Sequence, residues 1–197
     1  KAFATIITDD YIPGFHALLR SLQYHNKGFN STFFIFNNGK LTKKDYIKEL
    51  YPYIKFVDLK NKSFYDLFIK TNGSIQEKYT ECLYTLDFFS LNYYSEIYFI
   101  DADMLCVGSI EELLSYTFKY AFSYATDAKE LDNADNIFKY KTETKKKGKN
   151  TRFNAGLFGF DSLTCGGVLK KIHNYMVKNN KRKYNLPEQK IMNGFFT

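Results

Sequence analysis

"YFIDADMLCVGSIEELL" (residues 98–114) joins an apolar run to two aspartates, Asp101 and Asp103, that are one residue apart. The apolar run predicts a buried strand at 97–100, and both aspartates come where that strand ends. Carboxylate oxygens are the ligands that Mg²⁺ and Mn²⁺ prefer, so the pair predicts a metal site. An isolated Asp-x-Asp is common and more often caps a turn or solvates a loop, so the rest of the chain has to decide between the two interpretations.

Strands and helices alternate along the rest of the chain. Short apolar runs rich in β-formers predict strands, and apolar residues at helical spacing predict helices. In chain order we predict strand 2–8, helix 15–24, strand 32–37, helix 41–51, strand 54–59, helix 75–94, strand 97–100, helix 110–114, strand 120–126, strand 152–161, helix 163–180 and a short helix at 186–196. Thr42 and Ser109 are placed to cap two of these helices. The alternation indicates an α/β fold with a mostly parallel sheet flanked by helices, whose ligands bind beyond the carboxyl ends of the strands.

Length and charge limit the classes of protein. With 197 residues, 45% of them hydrophobic, the chain can bury one sizeable core, and we expect a single domain over residues 1–197 with a mobile loop at 127–150. The net charge of +7 suits an anionic partner such as a nucleotide or a nucleic acid. Much of this charge falls in two lysine-rich runs, 141–149 and 178–183, which solvated loops explain. These runs lack interleaved aromatic residues, so we expect no nucleic-acid partner.

The cysteines and the hydropathy pattern bear on the compartment. Cys82, Cys106 and Cys165 are odd in number and widely spaced, so they predict neither a disulfide framework nor a zinc site. The sequence has no apolar segment of about 18 residues and no signal-peptide pattern, so we expect no membrane segment in it. The expected location is the cytoplasm, or the host cytoplasm for a viral protein.

Four stretches of the chain resemble one enzyme family. They are "AFATIITDDYIPGFHALLRSL", "YYSEIYFIDADMLCVGSIEELL", "RFNAGLFGFD" and "PEQKIMN". Together they resemble, in order and approximate spacing, the retaining glycosyltransferases of family 8, the glycogenin-like group with a Rossmann-like GT-A fold. The resemblance implies transfer of a sugar from a UDP-sugar to a glycan or protein acceptor with retention of configuration, using Mn²⁺ or Mg²⁺. The Lys-, Asn-, Tyr- and Phe-rich composition is compatible with a small viral member of this family.

The resemblance assigns roles residue by residue. Asp101 and Asp103 match the metal ligands, and the aromatic ring of Tyr11 matches one that stacks on the uracil. Gln189 matches the residue beside the anomeric carbon, and Glu188 its acidic neighbour that binds sugar hydroxyls. The remaining matches are nucleotide-binding positions at Ile6, Thr8, Asp9 and Ala102, and donor-sugar positions at Asn154, Ala155 and Gly156.

Structural alternatives remain open for several of these residues. Tyr11 would alternatively be a loop aromatic residue that closes the edge of the core. Gly156 and Gly159 would serve to bend a strand or to allow close backbone packing. Glu188 would favour the first turn of a helix through the helix dipole.

The sequence departs from the family pattern in two respects. Members often carry a Lys or Arg upstream of the first metal aspartate, where this chain has Thr85, with Asp87 close by. Asp87 could instead accept hydrogen bonds from sugar hydroxyls, so the donor sugar can differ from glucose or galactose. The family's C-terminal His-x-x-Gly-x-x-Lys-Pro motif does not occur before Thr197, so water and phosphate complete the metal shell or the chain continues.

The three histidines do not replace the missing motif. His16, His25 and His173 fall in amphipathic helices, where packing or surface roles are expected. Two other functions therefore stay open: a nucleotide-sugar-binding or hydrolysing domain without transferase activity, and, less favoured, a basic nucleic-acid-binding module.

Overall fold

The computed structural model describes residues 1–37, 39–58, 66, 69, 83–91, 94–115, 121–123, 155–161, 167–179, 191, 192 and 195. The predicted loop at 127–150 lies outside the described residues. So do three of the predicted site residues, Asn154, Glu188 and Gln189.

Six strands of the described residues form one sheet. In chain order they are β1 (Ala2–Ile6), β2 (Thr32–Asn37), β3 (Ile54–Asp58), β4 (Glu96–Ile100), β5 (Ala121–Ser123) and β6 (Leu157–Asp161). Their order across the sheet is β3-β2-β1-β4-β6-β5. The first four are mutually parallel, whereas β6 runs antiparallel to both β4 and β5. The predicted α/β class with a mostly parallel sheet is confirmed.

The described helices connect or flank these strands. They are α1 (Ile12–His25), α2 (Lys44–Leu50), α3 (Glu111–Ser115) and α4 (Val168–Lys178), with 3₁₀ turns at Asp9–Tyr11 and Thr85–Ser90. Helix α1 carries Pro13 in its first turn, where the missing N–H of proline costs nothing. Among the described residues, no helix combines the length and the apolar character needed to span a bilayer.

Two apolar cores lie on the two faces of the sheet, because successive side chains of a strand point to opposite sides. Ala2 and Ala4 of β1 join a core with residues 83–91 and α4, where Phe88 meets the rings of neighbouring strands. Phe3 joins the other core with α1 and α2. Because both faces of the sheet are covered, the sequences of the central strands are nearly continuous apolar runs and do not alternate between apolar and polar residues.

The ends of two elements differ from the sequence-based expectation. Strand β1 ends at Ile6 rather than at residue 8, because a 3₁₀ turn begins at Asp9. The predicted helix 75–94 is wrong near its end. There the described residues form a 3₁₀ turn at Thr85–Ser90, and the backbone of Leu91, the next residue, is in the extended conformation.

The two predicted helix caps have opposite outcomes. The prediction that Ser109 caps α3 is confirmed, since its Oγ accepts a hydrogen bond from the N–H of Glu111 at 3.2 Å. Thr42 is wrong as a cap. Helix α2 begins at Lys44 without a side-chain cap, and the Thr42 hydroxyl donates to Asp9 instead.

Candidate functional site

The candidate site lies at the carboxyl edge of the two central parallel strands. Ala4 of β1 pairs with Phe99 of β4, and continuing this register brings Ile6 level with Asp101. Residues after β1 and residues after β4 therefore meet at one edge, although about ninety positions separate them in sequence. Both groups were predicted as nucleotide or metal positions.

Strand β6 brings two of the predicted sugar-binding positions, Ala155 and Gly156, to the same edge. Because it is antiparallel to β4, its first residue Leu157 pairs with the last residue of β4, Ile100. One step further, the N–H of Asp101 donates to the carbonyl of Gly156 at 2.8 Å. Gly156, and with it the adjoining Ala155, therefore lies next to Asp101.

The two aspartates frame a buried alanine. Ala102 is 5% exposed, Asp101 is half-buried and Asp103 is exposed. The N–H of Met104 donates to the carbonyl of Asp101 at 3.3 Å, so the chain turns immediately after β4. This turn leaves both carboxylates close to solvent while the backbone between them packs inward.

The donor set fits a cation that takes part of its shell from a ligand. Within the described ranges, no group of three or more His, Cys, Asp or Glu side chains converges as a complete metal cage. Mg²⁺ is typically held by one or two carboxylates together with substrate phosphates and water. Asp101 and Asp103 suit that mode of binding, and they are the residues that would hold the ion.

Asp9 joins the end of β1 to the loop before α2. Its carboxylate accepts from the N–H of Thr42 at 2.9 Å, from the Thr42 hydroxyl at 2.5 Å and from the N–H of Lys43 at 3.3 Å. These bonds, led by the one from the Thr42 hydroxyl, hold the pKa of Asp9 below its usual value. A carboxylate with three protein donors has a structural role at this edge, whether or not it also meets a nucleotide.

A cluster of polar side chains lies at the carboxyl ends of β2 and β3. The Asn37 side chain donates to Asp58 at 2.9 Å and accepts from the N–H groups of Gly39 and Leu41. Lys44 pairs with the same Asp58 carboxylate at 2.5 Å. The sequence analysis did not predict this cluster. The polar residues that end β2 and β3, Asn37 and Asp58, could have indicated it.

The match to a family model decides the identity. The model of glycosyl transferase family 8 matches residues 3–197. The chain belongs to glycosyl transferase family 8. Among curated proteins, none matches the sequence.

Solved structures of glycosyltransferases share the fold of this chain. The galactosyltransferase LgtC, solved with donor and acceptor sugar analogs, is 14% identical, with a TM-score of 0.71 over 100% of this chain and 70% of LgtC. GlyE of Streptococcus pneumoniae TIGR4, also a glycosyltransferase, is 15% identical, with a TM-score of 0.64 over 100% of this chain and 43% of GlyE. At such identities the likeness shows the fold, and it confirms the GT-A prediction for this glycosyltransferase.

Tyr11 is accessible in this family 8 glycosyltransferase. It ends the 3₁₀ turn that follows β1, where its N–H donates to the carbonyl of Thr8 at 3.0 Å. The side chain is 52% exposed and belongs to neither core. This exposure argues against the alternative that Tyr11 closes the edge of the core.

Asp87 is an acidic residue buried among core residues. It is 7% exposed and lies within a 3₁₀ turn whose other residues are largely core residues. Within the described part of the chain, its Oδ2 has no hydrogen-bond partner. Burial raises its pKa to about 7. Thr85, at the position where relatives often carry a basic residue, is buried as well.

Two histidines, both on α1, take the packing or surface roles expected of them. The Nδ1 of His16 lies 3.0 Å from the hydroxyl of Tyr51, and its ring also packs edge-on against Tyr46. Burial, with a contribution from Arg20, lowers the pKa of His16. His25 packs against the neighbouring ring of Tyr24 on the surface of α1. None of these contacts supplies a metal ligand.

Proposed function

We propose that this glycosyltransferase moves a hexosyl or deoxyhexosyl group from a UDP-sugar to a glycan or protein acceptor with retention. Asp101 and Asp103 hold the Mn²⁺ or Mg²⁺ that binds with the diphosphate. The observation that carries the proposal is the hydrogen bond from the Asp101 N–H to Gly156, since it joins a carboxylate pair to a predicted sugar-binding strand at one edge. LgtC, which has the same fold, was solved with both donor and acceptor analogs.

In this proposal the residues after β1 and β4 hold the nucleotide. The exposed ring of Tyr11 stacks on the uracil, and Ile6, Thr8 and Asp9 lie beside the base and ribose. The side chain of Ala102 is only a methyl group, so the backbone between the aspartates can approach the ribose. A divalent cation bound there supplies Lewis-acid stabilisation of the charge that develops on the departing diphosphate.

Residues outside the described ranges complete the proposed reaction. The amide oxygen of Gln189 stabilises the positive charge that develops on the anomeric carbon, and Glu188 and Asn154 bind sugar hydroxyls. An active-site variant of LgtC in which glutamine is replaced by glutamate has been solved, which is consistent with a glutamine in the active site of such a fold. An amide is a poor covalent nucleophile, so we propose displacement from the front face. Isolation of a sugar covalently attached to Gln189 or Glu188 would contradict this mechanism.

The donor sugar is expected to differ from that of relatives with a basic residue at the Thr85 position. Asp87 has an oxygen without a partner among the described residues, and it can accept from or, when protonated, donate to a sugar hydroxyl. One hydrogen bond made or left unmade strongly discriminates between substrates. A screen of UDP-sugars with wild type and Asp87→Asn tests this role, with a changed order of donor preference as the expected result.

Titration calorimetry with UDP tests the proposed site. UDP is expected to bind with Mn²⁺ and to lose most of its affinity in EDTA. Transfer is then tested with UDP-sugars and acceptor candidates, and an α-linked product from an α-linked donor would establish retention. A folded protein that binds UDP equally well without metal would refute the metal site, whereas release of free sugar with every acceptor would support the hydrolysing alternative.

Tyr11→Ala is expected to weaken UDP binding about tenfold or more, because stacking contributes about 1–3 kcal/mol per base. Tyr11→Phe keeps the ring and is expected to bind nearly as wild type. The matched control is Tyr24→Ala, which removes a ring that is 81% exposed near the far end of α1. Equal losses for Tyr11→Ala and Tyr24→Ala would show that Tyr11 does not contact the base.

A further inference from the structure

Helix α1 lies along the whole segment that carries the two aspartates. At its first turn, a Cβ added to Gly14 would lie 3.1 Å from the carbonyl oxygen of Ala102 and 3.6 Å from the Cα of Asp103. This separation is tighter than ordinary van der Waals contact. Glycine therefore allows the start of α1 to approach the backbone between the two carboxylates.

Two polar side chains, one on α1 and one directly after it, bind the rest of the segment. The Oγ of Ser21 accepts from the N–H of Cys106 at 2.9 Å and donates to the carbonyl of Leu18 at 2.8 Å. The second bond fixes the hydroxyl hydrogen along the helix, so that a lone pair points at Cys106. Gly14 and Ser21 are about two turns apart and share one face of α1.

Asn26 follows the last residue of α1 and holds the end of the segment. Its Oδ1 accepts from the N–H of Ile110 at 2.8 Å, directly before α3. Its Nδ2 donates to the carbonyl of Leu22 at 3.0 Å, so the amide is held by the helix it terminates. Residues 102–110 are therefore attached to α1 at three levels: a close backbone contact and two hydrogen bonds.

We propose that Gly14, Ser21 and Asn26 are positioning residues, which fix segment 101–110 on α1 and thereby preset the separation of the Asp101 and Asp103 carboxylates. The proposal rests on the proposed function, since it assumes that this pair binds the metal. A metal ligand held in advance by its supporting residues loses little freedom on binding, and loss of such support typically costs about 10–100-fold in metal affinity. None of the three residues needs to contact the metal or the donor.

Gly14→Ala separates this role from a purely structural one. Alanine is the better helix former, but its Cβ also strains the contact with Ala102, so the two effects oppose each other and thermal stability is expected to change little. The added Cβ displaces the Ala102–Asp103 peptide, so the affinity for Mn²⁺ with UDP, followed by the EPR signal of free Mn²⁺, is expected to fall about tenfold. The matched control is Gly108→Ala, in the same segment, where an added Cβ would meet nothing within 4 Å.

Ser21→Ala tests the second attachment. Amide hydrogen exchange at Cys106 is expected to accelerate, with weaker Mn²⁺ binding, and Ser21→Thr, which keeps the hydroxyl, is expected to restore both. The matched control is Ser115→Ala, since the Ser115 hydroxyl donates to a carbonyl of its own short helix, α3.

The outcomes distinguish the two levels of the proposal. Wild-type affinity for Mn²⁺ and UDP in Gly14→Ala and Ser21→Ala would overturn the positioning role while leaving the proposed function intact. Absence of Mn²⁺-dependent UDP binding in the wild type would overturn both. Equal losses in Gly14→Ala and Gly108→Ala would also overturn the positioning role, because the close contact would then be irrelevant.

Discussion

Asp103→Ala is expected to abolish Mn²⁺-dependent UDP binding and to lower kcat/KM by about 10³-fold or more. The proposed metal has two carboxylate ligands from the described chain, and a Lewis acid contributes several kcal/mol to stabilising a developing charge, at about 1.4 kcal/mol per tenfold in rate. Because Asp103 is exposed, the fold is expected to be little affected. Steady-state kinetics over a Mn²⁺ titration, with thermal unfolding measured on the same samples, checks this result.

Asp101→Asn is a milder substitution at the other aspartate of the pair. It keeps one neutral oxygen ligand, and the backbone N–H that binds Gly156 is unchanged, so a smaller loss is expected, partly recovered at high Mn²⁺. Glu112→Ala, which removes an exposed carboxylate on α3, is the control for lost negative charge. Unchanged metal dependence in Asp103→Ala would mean that the aspartate pair serves only as a turn.

Asp87→Asn is expected to stabilise the protein by up to about 4 kcal/mol at pH 8 and to change it little near pH 4. The pKa of Asp87 is about 7 in the folded protein against an ordinary value of 3.8, and the cause is burial. Between these values the folded state holds the proton more firmly than the unfolded state, so wild-type stability falls as pH rises from about 4 to 7. About three pH units at about 1.4 kcal/mol each give this upper figure.

Urea unfolding of wild type and Asp87→Asn from pH 4 to pH 8 measures the difference directly. Asparagine has the same shape but no charge, so the two stabilities are expected to converge near pH 4, to separate progressively up to about pH 7 and to differ by a constant amount above it. Asp45→Asn, at an exposed position on α2, is the control for a general change of charge. Parallel curves for wild type and Asp87→Asn would show that Asp87 titrates normally. A stable but inactive Asp87→Asn would link the buried carboxyl to the donor sugar.

The individual elements of this fold follow from local sequence. The run at 32–37 is apolar and too short for a helix, and strand β2 has those same bounds, Thr32–Asn37. The helical spacing around Leu18 and Leu22 predicts α1, whose buried face they form. These features depend on the side chains of neighbouring residues, so a single segment contains the information for them.

The position of the aspartate pair was predictable for a similar reason. Asp101 and Asp103 follow a buried strand of an alternating α/β chain, and in such sheets the carboxyl ends of parallel strands share one edge. The family could be predicted because four motifs recur in order, and the family match over residues 3–197 confirms it. The metal, the UDP-sugar and the roles of Gln189 and Glu188 stay predictions.

The partners of these residues were decided only by tertiary structure. Thr42 looked like a helix cap, yet its hydroxyl binds Asp9, 33 positions away. Gly156 reaches Asp101 because β6 runs antiparallel to β4, a direction that the apolar run at 157–161 does not contain. The burial of Asp87 and the contact of Gly14 with Ala102 depend in the same way on how distant elements pack. Local side-chain patterns determine which elements form, whereas hydrogen-bond partners and pKa values depend on distances across the fold, and only the assembled sheet and its helices set those distances.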